Sequence, residues 1–415
     1  MPIDQATLGK RLRDARVNRG LTQEEAAEHL GIPRTAVVNI ESGERSISTL
    51  EVTELARLYR RSIAELLSES AGGDEDIFVV LHRIDPEFAD DPAVKDEVAR
   101  HVAICREGTD LRELLGMPTE GGPPEYGLPA PGSTMEAVEQ GNLVAAHERR
   151  RLSLGTSPLP DLAKLIASQG VWAAKAALPD EMSGMFLHHR SFGMAVLINQ
   201  KHPLPRRRFS FAHEYSHALM DRRASATVTT QRNRKDFVEV RANAFAAAFL
   251  LPAEGVQSFL RERRKALPSR EEQIVYDALT EDVKERVEAR SRNVASFSRV
   301  TYQDAASLSL YFGTSYQAAC YRLKSLGFVD KEQLEELLNK EGFADAVFRL
   351  MDLADGADTG GREDSRGDED ILRLQVLNLA IEAYRREMVS QGRLREISSV
   401  LGIAAEELLE LAEAA

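Results

Sequence analysis

Residues 206–220 read RRRFSFAHEYSHALM, and within them His213-Glu214-Tyr215-Ser216-His217 sets two imidazoles four residues apart with a carboxylate beside the first. In an α-helix that spacing puts both rings on one face, one turn apart. Both can then reach a single ion at the zinc–nitrogen distance of about 2.0–2.1 Å. Glu214 is turned toward the neighbouring face, close enough to take a proton from a water held by that ion. A catalytic zinc site also needs a third protein ligand and an open position. Glu239 lies 22 residues beyond His217, in VEVRANAFAAAFLLP, which leaves room for a loop and an antiparallel return helix. It can complete a set of two His and one Glu. Asn243, one turn further, can accept a hydrogen bond from a ligand imidazole and fix its tautomer. The competing reading is an ordinary solvated charged face. Against it, the polar trio sits among Phe209, Phe211, Ala212, Ala218 and Leu219, where unpaired charge is costly.

These residues need a scaffold, and the flanking sequence reads as one. DLAKLIASQG is a helix closed by Gly170; VWAAKAAL, GMFLHH and GMAVLIN are short strands separated by turn residues. Pro252 ends the helix that carries Glu239. Residues 136–265 are therefore expected to form a small α+β unit with helices packed on a sheet. Within it the strand Gly193–Asn199 is expected at an edge, open to an extended peptide. Residues 71–100 are acidic and expected as helices loosely tied to what precedes them, and EGGPPEYGLPAPGS (120–133) reads as a linker. The domains expected are thus 1–70, an acidic segment and linker over 71–135, 136–265, and a mostly helical extension over 266–415. In the extension, residues 305–327 have a helix–turn–helix outline read as core packing, and 355–370 read as a disordered acidic loop.

Composition bounds the chemistry further. The 415 residues carry a formal net charge of −13, which argues against a general coating of nucleic acid but not against a local DNA-reading face. Cys105 and Cys320 are the two cysteines; they cannot build a thiolate cage, so any metal must be held by His and carboxylate. No run approaches a membrane span, and no apolar signal core opens the chain, so a cytoplasmic location is expected. Residues 1–70 read as short helices punctuated by Gly20, Gly31 and Gly43, with Thr22 and Glu25 at capping-box spacing. By count they hold 10 Lys or Arg and 11 Asp or Glu, although Lys10, Arg11, Arg13, Arg16 and Arg19 cluster in the first helix.

The stretch GNLVAAHERRRLSLG, with SGMF, AVLIN, RRRFSFAHEYSHALM and EVRANAFAAAFLLP, resembles the ImmA/IrrE family of zinc metallopeptidases. YFGTSYQAACYRLKSLGF and LAIEAYRREMVSQGRLREISSVLGI resemble the extension such proteins carry. The resemblance implies a gluzincin-like fold with Zn2+ held by His213, His217 and Glu239, and Glu214 as base. It also implies a protein substrate, a helix–turn–helix repressor. Tyr321 and Arg322 are candidates for a further oxyanion donor, with a structural role the stronger reading. LGKRLRDARVNRGLTQEEAAEHLGIPRTAVVNIESGERSISTLEVTELARLY resembles the Cro/C1-type, or XRE, helix–turn–helix domain. Carried over, Gln23 contacts the DNA backbone and the base edge beside it, while Arg34, Thr35 and Asn39 face bases of a double-stranded operator. Arg16 and Glu41 match a buried structural pair, and a homodimer on a two-fold operator is implied. The expectation is a mainly α protein: an all-α reader, a small α+β peptidase unit and a helical extension. The alternative is a repressor or antitoxin-like protein whose peptidase-like domain senses or docks without turnover.

Overall fold

Glu41 at the end of one short helix and Arg16 in another explain how the N-terminal residues hold together. In the computed structural model, which describes residues 4–18, 21–59, 63–67, 91–117, 122–222, 226–230, 236–263, 270–277, 282–291, 299–343 and 370–414, the chain divides into two compact units, Met1–Glu75 and Asp76–Ala415. The first unit contains α1 (Gln5–Asn18), α2 (Gln23–Leu30), α3 (Arg34–Glu41), α4 (Thr49–Tyr59) and α5 (Ile63–Leu67). Thr22 caps α2 by accepting the Glu25 N–H at 3.2 Å, and the Glu25 carboxylate accepts the Thr22 N–H at 2.7 Å. Gly31 ends α2 at φ +66°, and Gly43 lies at φ +76°, where a Cβ would sit 2.6 Å from the Ala6 Cα. Leu12, Val37, Ile40, Leu55 and Tyr59 fill the core. The Arg16 guanidinium donates to both Glu41 oxygens, at 2.6 and 3.0 Å, with both residues buried.

The second unit is built on a four-stranded sheet, ordered β1 (Val171–Ala176), β3 (Gly193–Asn199), β2 (Met182–His189) and β4 (Ala226–Thr230). β1 and β3 are parallel, and the other pairs are antiparallel. β3 is thus paired on both sides, and the edge expected there lies instead at β1 and β4. With side chains alternating between two covered faces, β1, β2 and β3 are mostly apolar and almost wholly buried. Ala173, Phe186, Val196 and Ile198 point into one core, whereas Trp172, Met185, Leu187 and Leu197 point into another.

The first core receives α7 (Thr134–Arg151), α8 (Leu162–Ser168), α9 (Leu204–Met220), α10 (Phe237–Leu250) and α11 (Ala253–Glu262), joined by α12 (Tyr302–Phe312), α13 (Tyr316–Ser325) and α14 (Lys331–Leu338). The second receives α6 (Pro92–Leu114), α15 (Ile371–Arg385), α16 (Gln391–Leu401) and α17 (Ala405–Ala414). So α6, expected to associate with the N-terminal helices, belongs to the second unit; its buried Glu107 accepts from Arg393 of α16 at 2.7 and 2.9 Å. Valines and Cys105 on its inner face outweigh the acidic residues that suggested a loose tether.

Two further expectations are corrected. Residues 122–133 run along the second unit: the Tyr126 N–H donates to the Leu219 carbonyl at 2.8 Å, and the Tyr126 hydroxyl donates to Glu148 at 3.1 Å. Proline and glycine here set an extended path, and the tyrosine anchors it. Residues 270–291, within the extension expected to be mostly helical, contain the antiparallel pair β5 (Arg270–Asp277) and β6 (Asp282–Ser291). The α12–α13 pair has the helix–turn–helix outline, with Gly313 at φ +64°, but α13 is buried from Tyr316 to Lys324, which makes it core packing as expected. Residues 71–90, Arg19 and the acidic loop over 355–369 lie outside the described residues. No described helix is long and apolar enough to cross a membrane.

Candidate metal centre

α9 lies against β2 and β3 with one face and against α10 with another, which leaves Phe209 to Met220 buried along its whole length. α10 approaches α7 so closely that a Cβ on Gly141 would sit 2.5 Å from the Arg241 carbonyl, and its alanines allow this. Packing therefore sets the two helices that carry the polar residues, and it brings those residues to one point.

His213, His217 and Glu239 each offer a ligand atom within 4.8 Å of the others. The His213 Nε2 lies 3.1 Å from Glu239 Oε2 and 3.3 Å from the His217 Nε2, which is 3.8 Å from Glu239 Oε1. The other ring nitrogens are engaged behind. The His213 Nδ1–H donates to the Asn243 side-chain oxygen at 3.0 Å, and the His217 Nδ1–H donates to Asp221 Oδ2 at 3.0 Å. With Nδ1 as the donor in each ring, both Nε2 lone pairs face the same space.

Asp221 was not singled out from the sequence. It stands four residues after His217, the same spacing that relates the two histidines, and this was its available signal. Its Oδ1 accepts from the Arg241 Nη2, and the Arg241 Nη1 donates to Gln140 of α7 at 3.1 Å.

The centre of this arrangement is buried: His217 and Glu214 have no exposed surface, and Glu239 has 4%. Burial acts to lower the His217 pKa, but the Asp221 hydrogen bond and the nearby Glu239, Asp221 and Glu214 carboxylates outweigh it and push the value up to about 9. Buried carboxylates beside imidazoles need compensating positive charge. A divalent cation held between them would provide it. Two imidazole nitrogens and a carboxylate oxygen converging at one buried point are the donor set of zinc, and the residues present fit that ion.

Glu214 lies under β2. A Cβ built on Gly184 would meet Glu214 Oε1 at 3.0 Å, its Cγ at 3.1 Å and the Leu197 carbonyl at 2.9 Å. Arg322 is committed elsewhere: it donates to the Leu251 carbonyl at 2.9 Å and to Asn142 at 3.3 Å. Burial lowers its pKa to about 10. It ties α13 to the end of α10, a structural role. Tyr321 is buried on the same helix.

In the first unit Arg34, Thr35 and Asn39 are exposed along α3. Gln23 is half-buried, and its amide donates to Glu41 Oε2 at 2.9 Å, so part of its capacity is spent inside the domain.

Comparison with known proteins finds a match in both units. Residues 167–324 match the IrrE N-terminal-like domain and residues 12–66 match the helix–turn–helix family. The first match runs from α8 into α13, so it takes in the hairpin and the helix pair beyond it. The chain is 40% identical over 60 residues to the cryptic phage CTXphi transcriptional repressor RstR of Vibrio cholerae, covering 14% of this chain and 54% of that protein. It is 41% identical over 63 residues to the HTH-type transcriptional regulator ImmR of Bacillus subtilis (strain 168), covering 15% of this chain and 50% of that protein. The chain thus spans about half the length of the curated relatives it matches.

Proposed function

We infer, from a chain that joins an XRE-type helix–turn–helix domain to an IrrE N-terminal-like domain, that it is a DNA-binding transcriptional regulator carrying a zinc-dependent endopeptidase. The observation that carries the enzyme reading is the convergence of His213, His217 and Glu239 with Glu214 buried beside them. A pure binding module has no use for a general base at that position. Zinc, when bound, would supply a Lewis acid that polarises a peptide carbonyl and lowers the pKa of a water so that hydroxide becomes available near neutral pH. Glu214 accepts the proton of that water at its carboxylate and returns it to the leaving amine. Asn243 and Asp221 hold the two imidazoles so that Nε2, not Nδ1, faces the site.

An extended substrate chain fits the sheet edge at β4, which among the described residues pairs with β2 alone. β2 in turn carries Gly184 over Glu214. The substrate class is a helix–turn–helix repressor or related regulator, and the setting is the cytoplasm. For DNA, Arg34, Thr35 and Asn39 on the exposed face of α3 read base edges, with Gln23 at the backbone and a homodimer matching a two-fold operator. The two curated relatives are themselves named as transcriptional regulators.

Metal analysis tests the reading first. Purified protein should hold about one zinc per chain, and His213→Ala and Glu239→Ala should each lose it. A parent protein that stays metal-free when zinc is supplied would remove the reactive centre. Gly184→Ala tests the base separately, because the added methyl has no room between Glu214 and the Leu197 carbonyl. Overpacking of this kind costs about 1–3 kcal/mol. It should displace Glu214 and reduce hydrolysis at least tenfold, on the order of 1.4 kcal/mol of barrier, with zinc content unchanged. Equal hydrolysis by parent and variant would count against Glu214 as the group that moves the proton.

A further inference from the structure

We propose that Asp221 and Arg241 act as a pair of positioning residues that lock the His217 imidazole for metal binding and couple the two ligand-bearing helices to each other. The inference rests on the zinc reading of the site above.

Three observations carry it. First, Asp221 uses both carboxylate oxygens: Oδ2 accepts from His217 Nδ1 at 3.0 Å, and Oδ1 accepts from Arg241. A carboxylate held at both ends cannot rotate away from the ring it orients. Second, the backbone fixes Asp221 independently, since its N–H donates to the His217 carbonyl at 2.8 Å at the end of α9. Third, Arg241 lies on α10 between Glu239 and Asn243 and is 2% exposed. The residue that orients one α9 ligand is therefore tied to the helix that supplies the third ligand, and through Gln140 to α7. Gln140 in turn donates to the Pro129 carbonyl at 3.2 Å, so the relay reaches the extended segment over 122–133.

The chemistry follows from the geometry. A metal-bound histidine needs its distal N–H held by an acceptor, because a freely turning ring loses both tautomer and direction. Asp221 supplies the acceptor. Arg241 holds Asp221 in place, its planar fork donating to one carboxylate oxygen on one side and to the Gln140 amide oxygen on the other. Neither residue touches the substrate.

Zinc affinity of the full-length protein, measured by competition with a chromophoric chelator at fixed pH, tests this without reference to turnover. Asp221→Ala is expected to weaken zinc binding about 10–100-fold, the range for loss of such a supporting partner, at unchanged stoichiometry. Asp221→Asn retains an oxygen that can accept from His217 and should weaken it less; it also serves if the alanine variant does not fold. Arg241→Met should weaken binding as well, and adding it to Asp221→Ala should cost little more, because Arg241 acts through Asp221. Folded Asp221 variants that bind zinc as tightly as the parent would overturn the inference, as would additive losses from the two substitutions. A parent that binds no zinc would instead defeat the reading of the site itself.

Discussion

Replacing Glu214 by glutamine is expected to lower peptide hydrolysis by about 10²–10⁴-fold while zinc content and DNA binding stay at parental levels. Glutamine has the shape of glutamate but cannot hold a proton in transit. Glu214 is not among the three residues that converge as ligands, so the metal should not report the change. The candidate substrate for the assay is a helix–turn–helix repressor, followed by gel mobility and mass of the fragments. The same variant separates the enzyme from the alternative in which the peptidase-like domain senses or docks. Under that alternative neither form cuts, and parent and variant behave alike in every regulatory readout. Hydrolysis that survives undiminished in Glu214→Gln would sink the role given to this carboxylate.

Much of this site is legible in the sequence because its chemistry is tied to helical spacing. His213 and His217 are four apart on a segment rich in Phe and Ala, and helix geometry alone puts them together. Glu239 and Asn243 are one turn apart on a second apolar helix, so once one faces the site the other follows. What was hidden depends on contacts between elements. β3 is an interior strand because β1 pairs with it in parallel, and such a crossover leaves no local signature. The packing of Gly184 on Glu214 joins a strand to a helix across the chain. Asp221 carries only a weak local signal, because acidic residues just past a helix are common and its meaning comes from Arg241, 20 residues on. The β5–β6 pair is not legible locally because cross-strand pairing decides it.

Removal of the Glu41 carboxylate should have the largest effect on stability in the first unit. Glu41 accepts from the Arg16 Nε at 2.6 Å, the Arg16 Nη2 at 3.0 Å and the Gln23 amide at 2.9 Å, so one side chain ties α1, α2 and α3 together. Glu41→Ala leaves a buried guanidinium without its counter-ion. Breaking a buried pair in this way costs about 3–5 kcal/mol, against about 5–15 kcal/mol of total stability for a typical domain. A unit of this size has little in reserve, and operator binding should be lost because α3 is no longer held in place. Zinc content and hydrolysis should persist, since those residues belong to the separately packed second unit. The single tryptophan, Trp172, makes the distinction measurable: it is buried in the second unit's core, so its fluorescence follows that unit alone. Glu41→Ala should therefore bring forward the circular-dichroism transition of the first unit and leave the tryptophan transition where it was. Arg34→Ala is the matching control, because Arg34 is exposed; it should leave both transitions alone and cost about 1–3 kcal/mol of operator discrimination. A tryptophan transition that moves with Glu41→Ala would mean that the two units unfold together. The helix–turn–helix unit and the unit that carries the candidate metal centre would then share one stability.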